Sequence, residues 1–459
     1  MPDTLSGFPF WSLEFEKDGT ARAPGAIDRF VAEVKSLGLS DVFVFSHGWN
    51  NDHADALSLY ERFFGEVARL LQDPGIAKKQ AAKIGVAGVL WPSILWPDDA
   101  PDPGPAPVLP APGGGGAASM SGPAAAPAKT AEPAEINGAL KGVYDPGQQG
   151  LIDELTALLA EQPESQAAID TFRTKLAQLL ASEPAGEVVD KKRPDLAEAA
   201  ITELGPGDWR RLLDILAESA EERGSAGGAV GFGNPFKKLW EGAKNAMRIT
   251  TYWQMKQRAG IVGRAGLAPV MSRLAQEAPG VRIHLLGHSF GARLVSFSLS
   301  GLPAVMTGAG SPVKSLFLLQ GAFSHYAFSD RLPHDMSRSG ALKGVAARVD
   351  GPLLTTHSLR DYAVGVTYPA ASFVNGDDAA AAEEQSRRWG AMGNDGAQAV
   401  GAASAKLAPP GTSYPFGKGT WLNLDGNKVI IHGRPPAGAH SDIVSPETAW
   451  ASLAAAGIV

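Results

Sequence analysis

The stretch VRIHLLGHSFGARLVSFSL, residues 281–299, constrains the fold more than any other part of the chain. Val281–Leu286 is a short, apolar, β-rich run, and Ala292–Leu299 has the apolar spacing of a helix. Only Gly287-His288-Ser289-Phe290-Gly291 lies at their junction. A strand that passes so abruptly into a helix is the start of a strand–helix–strand crossover, the unit from which parallel sheets are built. The turn is tight enough to strain the backbone of its central residue. Side chains two positions to either side would collide with it or with neighbouring backbone, and both positions, Gly287 and Gly291, are glycine.

The same alternation runs through the rest of the chain. Phe10–Glu16 alternates like a strand and ends at the turn residues Lys17-Asp18-Gly19. Ile27–Leu37 reads as a helix closed by Gly38, Asp41–Ser46 as a buried strand, Ala56–Leu71 as a helix and Ile84–Leu90 as another buried strand. After an interruption the pattern resumes with a long helix over about Phe236–Lys256 and a second ending near Gln276. Leu316–Gln320 and Leu353–Thr356 read as strands. Trp421–Leu424 and Lys428–Ile431 flank Asp425-Gly426-Asn427, which predicts a hairpin. Ser445 before Pro446 predicts an N-capped last helix running to about Ala456. The expectation is an α/β fold, with a mostly parallel central sheet flanked by helices and a helical insertion.

The interruption divides the chain. Residues 1–97 and 236–459 carry the alternating core pattern. Residues 98–134 are rich in Pro, Ala and Gly and predict a flexible linker, because they offer little apolar surface to bury. Residues 135–222 contain three apolar stripes at helical spacing: Leu151, Ile152, Leu155, Leu158 and Leu159; Ile169, Phe172, Leu176, Leu179 and Leu180; and Trp209, Leu212, Leu213 and Leu216. This helical insertion is either a cap over the site or a surface appendage, since a stripe says only that the helix packs against something. A second Gly-rich linker covers 223–235.

Composition excludes several function classes. The chain has 459 residues, no cysteine, and 41 Lys+Arg against 48 Asp+Glu. Disulfides, thiol catalysis and Cys-ligated zinc are therefore out. No basic block suits nucleic acid, and no metal-ligand spacing such as H-E-x-x-H occurs. Trp389–Ala397 has loop glycines but not the strand, Lys and helix of a phosphate-binding loop. No apolar run approaches the roughly 18 residues of a membrane span. The N-terminus lacks a basic segment followed by an apolar one, so the expected location is cytoplasmic, with signal-independent export still open. No cofactor is expected.

A serine lifted above a sheet on such a turn is placed to act as a nucleophile, with N–H groups of the following helix aimed at the same spot. Acyl transfer needs two such donors for the oxyanion. Phe290, after the serine, supplies one. The other is assigned to Trp49 in His47-Gly48-Trp49-Asn50, directly after the strand Asp41–Ser46. Gly48 allows close backbone approach, and His47 is expected only to shape the loop. His288 is read as a packing residue of the elbow, on the side of the turn away from Ser289 Oγ. Trp91-Pro92 and Trp96-Pro97 follow a strand end, where they line a pocket or pack a rim.

Strand–HGW, strand–GHSFG, a late Asp and a later His, in that order, resemble the α/β-hydrolase superfamily. More narrowly, HGWNND, LWPS at Leu90–Ser93, THSLRDYAVG and the C-terminal HSD resemble a group of bacterial esterase-like α/β-hydrolases. The resemblance covers about 41–93 and 236–456 and specifies the substrate poorly. It implies a triad in the order Ser, then Asp or Glu, then His.

His440 is favoured as the base, because RPPAGAHSDI leads into the last helix from a loop that reaches the carboxyl end of the sheet. His325, His334, His357 and His432 are the other histidines, with His432 read as a sheet residue and His357 as support for the acid loop. Asp361 is favoured as the acid over Asp330, which follows the preceding strand. Asp442 is read as a loop-capping residue. The function implied is hydrolysis of a small-molecule or lipid ester through an acyl-enzyme. The alternatives are a catalytically minor or inactive binding protein that meets a protein partner through the insertion, and a lipase- or phospholipase-type effector.

Overall fold

The computed structural model describes residues 2–76, 78, 82–93, 96, 132–181, 209–210, 213–214, 217, 234–364, 390–433 and 437–459. Among these residues nine strands form one sheet in the order β1-β2-β4-β3-β5-β6-β7-β9-β8. They are β1 Asp3–Leu5, β2 Phe8–Glu14, β3 Asp41–Ser46, β4 Ile84–Leu90, β5 Arg282–His288, β6 Val313–Leu319, β7 Leu353–His357, β8 Ala403–Lys406 and β9 Trp421–Asp425. Only β1 runs antiparallel to its neighbour. It turns back at Ser6-Gly7, both at positive φ, the backbone that tight hairpins use. This is an α/β protein with a mostly parallel sheet.

Successive side chains of a strand face opposite ways, so a strand covered on both faces is apolar throughout. In β3, Val42 and Val44 join one hydrophobic cluster while Phe43 and Phe45 join the other. Helix α1 (Ala26–Ser36) packs on the first face and α2 (His53–Gln72) on the second. The chain leaves β3 through α2 towards β4, but leaves β5 through a helix on the opposite face towards β6. Strand order therefore reverses between β3 and β5. In an open α/β sheet the crevice at the carboxyl ends of two such strands is where ligands bind.

The helices α3 (Pro133–Lys141), α4 (Gln149–Glu161) and α5 (Gln166–Ala181) fall in or at the edge of the predicted insertion. Ile152, Leu155, Leu159, Ile169, Phe172, Leu176, Leu179, Trp209 and Leu213 are buried in one cluster with Trp91 and Trp96. Leu212, Leu216 and the Leu180 side chain lie outside the described residues, as do almost all of 98–134 and 223–235. These helices pack on α6 (Pro235–Ile261): Phe172 meets Trp240 edge-on at 5.8 Å, and Trp240 Nε1 donates to Pro163 O at 3.1 Å. The guanidinium of Arg258 donates to Pro92 O at 3.1 Å and Val143 O at 3.0 Å, binding α6 to the end of β4 and to the insertion. After α6 the chain makes a π-helical turn, Val262–Leu267, and enters α7 (Ala268–Glu277). Gly263 lies there against the next helix, α8 (Phe290–Ser300), where a Cβ would come within 2.1 Å of Leu294 O.

The hairpin expected at Asp425-Gly426-Asn427 does not form. Val429 and Ile430 N–H both turn back to Gly426 O, at 2.9 and 2.8 Å, so the chain turns after β9, and His432 makes an isolated β-bridge outside the nine strands. The reason is topological. β9 already has β7 on one side and β8 on the other, both parallel, so it offers no edge to a hairpin partner. The loop Gly390–Ala397 contains a short helix, α9 (Met392–Asp395), and ends against Asn423 of β9; Trp389 lies outside the described residues. The last helix, α10 (Pro446–Ala455), is capped by Ser445 as expected.

Candidate active site

The elbow is as strained as its sequence requires. Ser289 has φ 56 and ψ −121, a conformation that costs a non-glycine residue about 1–3 kcal/mol. A Cβ on Gly287 would lie 2.4 Å from Gly291 O, and one on Gly291 would lie 2.1 Å from Ser46 O. Surrounding hydrogen bonds hold the strain. Ser289 N–H donates to Leu319 O at 3.1 Å, and Ser289 O accepts from Ala292 N–H at 3.1 Å and Ala322 N–H at 3.2 Å. Thus β6 and its following loop clamp the turn from one side.

His440 and Asp361 converge on it. His440 Nε2 is 2.7 Å from Ser289 Oγ, and His440 Nδ1 is 2.8 Å from Asp361 Oδ2. The carboxylate accepts, so in the neutral ring the proton is on Nδ1 and the lone pair of Nε2 faces the serine hydroxyl. Asp361 is fully buried. Gln320 Nε2 donates to its Oδ2 at 2.8 Å, and Val364 N–H donates to its Oδ1 at 3.3 Å. Gln320 ends the run from β6 at φ 47, a second strained non-glycine backbone beside the site. Its amide also donates to Gly393 O at 2.9 Å, so the Gly390–Ala397 loop holds the side chain that bonds Asp361. Nothing in the sequence marked Gln320: one glutamine at a strand end belongs to no pattern.

The HGW loop meets the elbow in the crevice between β3 and β5. A Cβ on Gly48 would fall 2.6 Å from Ser289 Cβ, so only glycine permits this approach. His47 shapes the loop. Its Nδ1–H donates to Gly48 O at 2.8 Å, its N–H donates to the Tyr60 hydroxyl at 3.0 Å, and its carbonyl accepts from Trp91 Nε1 at 3.0 Å. The ring stacks on Trp91 at 5.6 Å, and burial pushes its pKa down to about 4, so it is neutral near pH 7. Trp91 and Trp96 are buried, and Trp96 N–H donates to Asn50 Oδ1 at 2.9 Å, so these residues pack and stitch the loop. Phe290 is the first residue of α8, so its N–H has no partner within the helix. Trp49 follows Gly48 on the adjoining loop, and its ring meets Tyr252 of α6 at 5.7 Å and Phe290 at 6.2 Å.

The rival residues are elsewhere. Asp330 is exposed. Asp442 accepts from the N–H groups of Ile431 and His432, each at 2.8 Å, and from His432 Nδ1 at 3.0 Å, which makes it the loop-capping residue expected. His325 pairs with Asp395 at 2.7 Å, while the His334 ring lies tilted against Tyr326 with centroids 5.9 Å apart. His357 ends β7 and its carbonyl accepts from Gly426 N–H at 2.9 Å. His288 does more than pack, because its Nε2 donates to His440 O at 2.9 Å.

Among the described residues, no three or more His, Asp or Glu side chains are grouped to hold a metal ion. None of the described helices is long and apolar enough to cross a membrane. No protein-family model matches the chain, and neither a curated protein nor a solved structure does.

Proposed function

We propose that this protein is a serine hydrolase of the α/β-hydrolase type, cleaving carboxylic esters through an acyl-enzyme. The observation that carries the reading is the continuous hydrogen-bonded chain Ser289 Oγ–His440–Asp361, at 2.7 and 2.8 Å, on a strained strand–helix turn. Ester hydrolysis needs a nucleophile whose proton leaves as it attacks. His440 Nε2 takes the Ser289 proton, and Asp361 holds the ring in the required tautomer and stabilises the imidazolium. The N–H groups of Phe290 and Trp49 receive the developing oxyanion. His440 then protonates the leaving alcohol, and water activated by the same imidazole releases the acid.

A fluorophosphonate probe tests the reading directly. The wild-type chain should label on Ser289 and hydrolyse an activated ester, and Ser289→Ala should do neither while keeping its far-UV spectrum. Undiminished turnover in Ser289→Ala would overturn it. Lipid esters are the second reading for the substrate, supported by the rings of Trp49, Tyr252 and Phe290 gathered beside the elbow. A panel of acyl chain lengths separates the two: kcat/KM rising with chain length favours lipid.

A further inference from the structure

His440 stands on a loop, and that loop is held on two sides. Towards Asp361 the ties are main-chain: Ala439 N–H donates to Arg360 O at 2.8 Å, and Ala363 N–H to Ala437 O at 3.0 Å. Asp361 and Gly438 also form an isolated β-bridge. Towards the nucleophile, the His440 ring bonds Ser289, and His288 Nε2 bonds the His440 carbonyl at 2.9 Å. The His288 and His440 rings lie 4.9 Å apart.

We propose that His288 is a positioning residue: as a neutral ring protonated on Nε2, it holds the His440 backbone to the elbow and so keeps His440 Nε2 at Ser289 Oγ. The inference rests on the reading of Ser289 as nucleophile and His440 as base. A carbonyl can only accept, so the bond requires the proton on Nε2. His288 Nδ1 is then a bare lone pair, buried and without a hydrogen-bond partner, 3.2 Å from where a Cβ on Gly48 would lie. A second proton there would be buried and unpaired, and would face the imidazolium that forms on His440 during turnover. Burial above all, with the nearby His440 and Arg62, outweighs the hydrogen bond to the His440 carbonyl and holds the ring down at about 3. The donor sits on the elbow, one residue before Ser289, whose own N–H and carbonyl are both bonded. The acceptor sits on the loop. Cutting this bond leaves the Asp361 side intact and frees the loop on the side that matters for proton transfer.

The test compares His288→Gln, whose amide nitrogen reaches the place of Nε2, with His288→Met, which fills the space but cannot donate. His288→Met should lower kcat about tenfold to a hundredfold with KM within about twofold, because small misplacements of a reacting group are costly. His288→Gln should recover most of the loss. Full kcat in His288→Met, or no recovery in His288→Gln, would overturn the proposal. Should His288→Met not fold, His288→Asn replaces it, since its amide ends at the Nδ1 position and cannot reach. A readout independent of turnover is the long-range 1H–15N spectrum of the wild-type protein, with His288 assigned from its absence in His288→Gln. The ring should be Nε2-protonated and unchanged between about pH 5 and 8; an Nδ1-protonated or titrating ring would sink the inference. A wild type that neither labels with fluorophosphonate nor hydrolyses esters would instead sink the reading of the site.

Discussion

Among the described residues two Ser–His–Asp chains stand at opposite ends of the sheet. At the carboxyl end stand Ser289, His440 and Asp361. At the amino end, Ser315 Oγ is 2.8 Å from His284 Nδ1, and His284 Nε2 is 2.9 Å from Asp41 Oδ1. Distances alone do not tell them apart. Ser315 lies within β6 and His284 within β5, paired just past a register shift between Ile283 and His284, so the chain runs across the sheet with no strained turn and no helix N-terminus beside it. His284 is wholly buried, and Phe43 covers it with ring centroids 4.8 Å apart. Asp41 also meets Arg282 at 2.5 Å. Burial raises the Asp41 carboxyl, but the His284 and Ser40 hydrogen bonds and the His284 and Arg282 charges outweigh it and leave the group below its ordinary value. Burial holds His284 below its own. The amino-end chain therefore pins three neighbouring strands, whereas the carboxyl-end chain has a hydroxyl on a sharp turn at the N-terminus of a helix. Hydrogen-bond order is the same in both; under the proposed function it is the backbone around Ser289 that sets it apart as the nucleophile.

Substitutions at the two ends should separate cleanly. Ser289→Ala should lower ester turnover by a factor on the order of 10⁴ or more, whereas Ser315→Ala should leave kcat within about twofold and cost about 1–2 kcal/mol of stability. Loss of turnover in folded Ser315→Ala would break the comparison. Asp361→Asn should follow, with kcat reduced about 10⁴-fold and little change in KM, because an amide favours the wrong His440 tautomer. Asp41→Ala is its counterpart. It leaves His284 and Arg282 without their carboxylate, and should cost about 3 kcal/mol in urea unfolding while the folded fraction keeps its kcat.

Acid should act on stability through the buried histidines. His47 titrates at about 4 in the folded chain against about 6.5 unfolded, so between these values the unfolded chain binds more protons. Stability is then complete above about pH 6.5 and falls as pH drops towards 4, by on the order of 3 kcal/mol from His47 alone. His284 and His288 are also lowered and add in the same direction. Urea midpoints measured across this range should fall steadily, and a flat profile would contradict the burial of these rings. Among the carboxyl-end substitutions the smallest effect on kcat is expected at Gln320. Gln320→Met removes one donor from Asp361 and should lower kcat about tenfold, roughly the value of a hydrogen bond to a charged group; unchanged kcat would mean that Val364 N–H suffices.

Much of this was readable beforehand, for reasons that differ by residue. GHSFG with its flanking strand and helix is local: Gly287 and Gly291 are demanded by contacts within a few residues or with the adjoining β3 end. The order Ser289, Asp361, His440 came from resemblance, and the distances now bring those three side chains together while Asp330 stays in solvent. The hairpin at Asp425-Gly426-Asn427 failed because turn chemistry is local but strand pairing is not. Its partner position was taken by β8, a run of ASAK with no apolar signal.

What the sequence determined by itself was wherever a short stretch constrains its own backbone: the strained elbow at Ser289, the alternation of strands and helices, and the capped last helix at Ser445. What only the tertiary structure decided was which distant side chains meet. Gln320 under Asp361, His288 on the His440 carbonyl, and the buried Asp41–His284–Ser315 chain join residues 31 to 243 positions apart. No periodicity or spacing encodes such contacts, because they depend on strand order and register, which the whole sheet sets at once.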